Sequence, residues 1–191
     1  MTDAEIKEKA FEVDKISYDY HLTHAVFACD KMLSDSFRKA GREKTKKMNS
    51  ELQEAYRKKD TAKITKIMDG IKSHKVRKYH IFVDYINIDD PDAGRVIKAE
   101  NKLIISLPIT LAVEARDESG LFQPGGVKKL RRVMAHELGH IVLHTESLIE
   151  TDNLNGSRDL QGRPEQEAEI FAKELLRLRE KRNELFRKAV G

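Results

Sequence analysis

Apolar residues in the first 75 positions recur at helical spacing between long charged stretches, so residues 3–75 read as three or four amphipathic helices. Breaks are expected near Gly41 and at Asp60-Thr61, the latter an N-cap before Ile64, Ile67, Met68 and Ile71. The period then shortens to two. Tyr79, Ile81, Val83 and Tyr85 alternate with His80, Phe82 and Asp84, which predicts a strand. Residues 89–94 (Asp-Asp-Pro-Asp-Ala-Gly) predict a turn, and 96–99 and 102–107 predict two short strands about Glu100-Asn101. Helical spacing returns after Pro124-Gly125-Gly126, through Val127, Leu130, Val133, Met134, Leu138, Ile141 and Val142. A polar stretch, 151–163, reads as a flexible connection. A last helix opens at Pro164 and carries its apolar stripe on Ala168, Phe171, Ala172, Leu175 and Leu176, continuing into Arg177-Leu178-Arg179-Glu180.

The pattern predicts an α+β fold: a small, mostly antiparallel sheet packed on two long helices, behind an N-terminal helical extension. The expected division is 1–77 for the extension and 78–191 for the domain that carries the chemistry.

A chain of 191 residues is long enough to bury a real core. No apolar run is long enough for a membrane span, and the start, Met1-Thr2-Asp3-Ala4-Glu5, does not read as a signal peptide. With a single cysteine, Cys29, an internal disulfide is excluded, so a cytoplasmic setting is expected and Cys29 reads as buried filler. The net charge of +4 hides a basic stretch between about 38 and 78. Glu43, Glu51, Glu54, Asp60 and Asp69 interleave with it and no recognition motif stands out, so the preferred reading is a solvated helical face and nucleic acid is not expected as a partner. The aspartates at 89–92 lack the spacing and closing glutamate of a calcium loop.

The candidate chemistry lies at His136-Glu137-Leu138-Gly139-His140, an H-E-x-x-H sequence inside the first of the two periodic helices. Residues four apart share one helical face, so both imidazoles can reach a single Zn2+. Glu137 can act on a metal-bound water as general base without ligating. Gly139 costs about 1 kcal/mol in a helix interior relative to alanine, which implies that another segment packs closely there. His144 extends the series, and a supporting role fits it better than ligation. A catalytic zinc needs a third protein ligand. The candidates lie on the last helix, where Glu167 borders the apolar stripe, Glu165 sits close to it and Glu169 turns toward solvent; spacing leaves Glu165 and Glu167 both open.

The segments AHELGHIVLH and EQEAEIFAKELL resemble the ImmA/IrrE family of zinc metallopeptidases, whose best-known members cleave repressors of mobile genetic elements. The resemblance runs from about Tyr79 to Leu176. It implies that the glutamate directly before alanine in the second segment, Glu167, is the third ligand. The family's usual Leu-Leu-Met-Pro stop is replaced by Leu175-Leu176-Arg177-Leu178, and residues 1–74 match no pattern of the family. The expected function is a zinc metalloendopeptidase acting on a regulatory protein such as a transcriptional repressor. Tyr85, His80 and His144 are the candidates for stabilising the transition state. The rival reading is a non-proteolytic zinc protein that uses its basic helices as a binding surface.

Overall fold

The computed structural model describes residues 1–16, 22–73, 79–87, 94–116, 123–150 and 162–190. In chain order it has α1 (Asp3–Ile16), α2 (Leu22–Arg57), α3 (Thr61–Ser73), β1 (His80–Ile86), β2 (Arg95–Ala99), β3 (Lys102–Pro108), α4 (Ile109–Glu114), α5 (Pro124–Glu150) and α6 (Arg163–Val190). The α+β class holds. Most of the turn expected at 89–94 and of the connection expected at 151–163 lies outside the described residues.

The chain forms two units, one combining Met1–Lys31 with His80–Gly191, the other comprising Met32–Tyr79. The stretch 1–77 is thus shared between them. In the first unit α1 starts with a reciprocal cap: Glu5 N–H donates to Thr2 Oγ1, and Thr2 N–H donates to Glu5 Oε2 at 2.7 Å. Ile6, Ala10 and Val13, spaced four and three apart, are fully buried in the packing of α1 on α6. The same contact buries Asp14, whose carboxylate meets Arg179 at 3.0 Å and also Arg182, so a charge on α1 is neutralised from α6. Cys29 is buried, as expected of a filler.

The sheet has the order β1-β3-β2. It is mixed where a mostly antiparallel sheet was expected. β2 and β3 pair antiparallel across the turn at Glu100-Asn101, but β1 pairs parallel to β3, with Ile81 opposite Leu103 and Val83 opposite Ile105. Glu100 adopts a positive φ of 49° to make the tight connection. Leu103, Ile105 and Leu107 alternate into the core of the central strand, and α5 packs across β2 and β3.

Helix α5 runs through the H-E-x-x-H sequence and kinks at His144, whose φ of −127° and ψ of 24° leave the helical region. The next residue gives a cause: the Thr145 hydroxyl donates back to the Ile141 carbonyl, a bond that competes with the helix ladder. Among the described residues, α5 and α6 make the most extensive helix contact, and Gly139 lies in it. A Cβ at Gly139 would stand 3.0 Å from both Cα and O of Ala168 and 3.2 Å from the Phe171 ring. This is the close approach that a glycine inside a helix implied. For Gly139→Ala, the helix-propensity gain of about 1 kcal/mol opposes an overpacking cost of about 1–3 kcal/mol against backbone. The clash wins because Ala168 cannot rotate away. Chemical denaturation should show net destabilisation, and an unchanged or raised midpoint would contradict the contact.

In the second unit the expected break near Gly41 is absent: α2 is one helix of 36 residues. A lone glycine costs too little to stop a helix that good formers continue on both sides. The break at Asp60 is present. Lys59 takes a positive φ of 53°, and the Asp60 carboxylate accepts the Lys63 N–H at 2.9 Å to cap α3. Phe37 and Tyr79 rings meet at 5.7 Å within this unit. No described helix is long and apolar enough to cross a membrane.

Candidate metal centre

His136 and His140 project from successive turns of α5 toward the first turns of α6. Their Nε2 atoms lie 3.1 Å apart and their rings meet edge to face. Glu165 closes the group, with Oε2 3.0 Å from His136 Nε2 and Oε1 3.2 Å from His140 Nε2. Among the described residues, His136, His140 and Glu165 form a group whose ligand atoms all lie within 4.8 Å of one another. Three donors bound at about 2.0–2.1 Å in tetrahedral geometry stand roughly 3.3 Å from each other, so this set fits a single small cation.

Electrostatics agree with the geometry. Burial, aided by the neighbouring His136 and His144, pushes the His140 pKa down to about 3, so the ring is neutral at ordinary pH and has a lone pair to give. His140 Nδ1 is buried without a hydrogen-bond partner among the described residues, which leaves Nε2 as the ring's polar contact. Access is one-sided. The His140 side chain is 1% exposed, but those of His136 and Glu165 are 21% and 43% exposed, so the group opens to solvent at their edge.

Glu137 is buried and stands outside the donor set. Its wall is the backbone at Gly94, just before β2, where a Cβ would come within 2.8 Å of Glu137 Cγ and Val133 Cγ1. Only glycine fits that approach, so the strand entry sets the position of the carboxylate. The sequence marked Gly94 as a turn residue, and nothing local connected it with Glu137.

Glu167, which the resemblance implied as ligand, lies elsewhere in this structure. Its Oε1 accepts from the Met1 ammonium at 2.7 Å and from Arg163 Nε at 3.0 Å, and its Oε2 is 3.5 Å from His144 Nε2. Arg163 also donates to the Met1 carbonyl, at 2.8 Å. The bond from the Met1 ammonium, with help from Arg163, holds the Glu167 carboxyl below its usual range against the opposing effect of burial. His144 Nε2 thus faces Glu167 without a hydrogen bond, and burial lowers the His144 pKa.

Glu169, expected in solvent, instead bridges the helices: it pairs with Arg132 at 2.9 Å and Lys173 at 3.3 Å and approaches His136 Nδ1 at 3.6 Å. The structure does not bring His80 or Tyr85 to the centre. Both lie on β1, the edge strand away from β2; His80 faces Asp30 at 3.6 Å, and Tyr85 is 41% exposed.

Residues 128–182 match the family model of the IrrE N-terminal-like domain, Peptidase_M78. No curated protein and no solved structure gives a significant match to the chain. The matched segment contains the His-bearing part of α5 and the acidic start of α6, which indicates a peptidase with a metal site. The match covers 55 of the 191 residues, so the likeness to the IrrE N-terminal-like domain is carried by this segment.

Proposed function

We propose that the protein is a zinc-dependent metalloendopeptidase that cuts a regulatory protein, with a DNA-binding repressor as substrate. The convergence of His136, His140 and Glu165 beside the buried Glu137 carries this reading. Two imidazoles and one carboxylate are the donor chemistry of catalytic zinc, which when bound polarises the scissile carbonyl and acidifies its water. Glu137 takes the proton from the attacking water and returns it to the leaving amine. The backbone at Gly94 lies close against the Glu137 side chain. His140, neutral through burial, stays available to the metal down to mildly acidic pH. The repressor as substrate is drawn from the family resemblance.

A second reading assigns the third donor to Glu167. It is favoured by the buried position of that residue, directly before Ala168 at the helix contact, and by the family segment it occupies. Both readings share His136, His140 and Glu137. The test of the shared core is incubation of wild-type and Glu137→Gln protein with a repressor encoded beside the gene, followed by mass spectrometry. A single cut made by the wild type alone supports the proposal. A cut made equally by both proteins contradicts it.

A further inference from the structure

The unit Met32–Tyr79 holds fifteen Lys and Arg against six Asp and Glu, leaving 21 against 26 in the rest of the chain. The molecule is therefore more polarised than its net charge of +4 shows. In sequence the acids interleave with the basic stretch. The unbroken helix α2 separates them. At about 100° per residue, Arg38, Arg42 and Lys46 line up on one face, while Glu51 and Glu54 fall roughly 120° or more from its centre and Glu43 about 100° from it. Only Asp35 shares that face, in an exposed pair with Arg38 at 3.4 Å that solvent makes weak. Arg42 and Lys46 make no ion pair with any described residue.

The aligned residues line a groove of about 470 Å³, formed by Arg38, Gly41, Arg42, Thr45, Lys46 and Asn49. Gly41 is buried within it, and the other five are exposed. Successive cations are about 6 Å apart along the axis, since four residues rise about 6 Å. Such a row meets successive phosphates of one nucleic-acid strand, and Thr45 and Asn49 add hydrogen-bond donors of the kind that hold phosphate oxygens. The groove contains no aromatic residue on which an unpaired base could stack, which favours a duplex over a single strand.

We propose that the Arg38–Arg42–Lys46 face of α2 binds the phosphate backbone of double-stranded nucleic acid without reading sequence. The proposal rests on charge and helix geometry alone and is independent of the peptidase reading. Its test uses the full chain and a fluorescent DNA duplex of about 20 base pairs, long enough to span the groove. Anisotropy should report binding that weakens with salt. R38E/R42E/K46E should lose more than about tenfold in affinity at low salt and lower the logarithmic salt slope by about 3, one unit per phosphate contact. The control K181E/R187E/K188E, with the same charge change on α6, should lose less than about threefold if distant charge is a weak, screened contribution. Circular dichroism checks that α2 persists. Should the triple reversal unfold, R42Q/K46Q should still lower the slope by about 2. The proposal is overturned if no duplex binding occurs at low salt, or if both triple variants lose equally. It is also overturned if polyglutamate of similar length competes as well as DNA, which would mark an acidic protein segment as the partner.

Discussion

Glu137→Gln protein is expected to retain about one equivalent of zinc and to lose cleavage by at least roughly 10²–10⁴-fold, the range supplied by a positioned general base. The amide keeps the shape of the carboxylate but cannot take a proton at neutral pH. It also fills the same space beside the Gly94 backbone, so the fold should survive. Glu137 is outside the donor group, so metal content should not follow activity. Measuring zinc and cleavage on one preparation separates the two effects. Loss of both would place Glu137 in the ligand set, and loss of neither would remove the general-base role.

The second large effect concerns the third donor. Glu165 reaches both imidazoles within 3.2 Å, while Glu167 is engaged by Met1 and Arg163. Glu165→Gln should therefore weaken zinc by more than the roughly 10–100-fold typical of a group that only supports a ligand. Glu167→Gln should fall within that supporting range, acting through His144 and the first turn of α6. Competition with a chromogenic chelator measures both. The reverse order, with Glu167→Gln the more damaging, would assign the third donor as the family resemblance does.

The helix bearing the two histidines was legible because local signals agreed there: the 3.6-residue period, the Pro-Gly-Gly entry and a glycine that needed a partner. Ala168 at 3.0 Å supplied that partner. Asp60 was legible as a cap for the same local reason. What the sequence hid is decided at long range. Parallel pairing of β1 with β3 leaves no mark on the alternation of either strand, since period two is the same in both directions. Glu165 and Glu167 flank the apolar stripe of one helix from opposite edges, so spacing could not divide their roles; Met1 and Arg163 do. Gly41 was overread as a break. Consequently the segregation of charge along α2 stayed invisible until the helix was seen to continue.

The central claim is that His136, His140 and a carboxylate from the start of α6 hold one catalytic zinc beside Glu137. A crystal structure of the zinc-loaded protein, with anomalous data at the zinc edge, tests it most directly. The account predicts a single peak within about 2.0–2.2 Å of both His Nε2 atoms and of Glu165, with a fourth position open to water. A site closed by four protein side chains, or zinc bound away from His136 and His140, would contradict it.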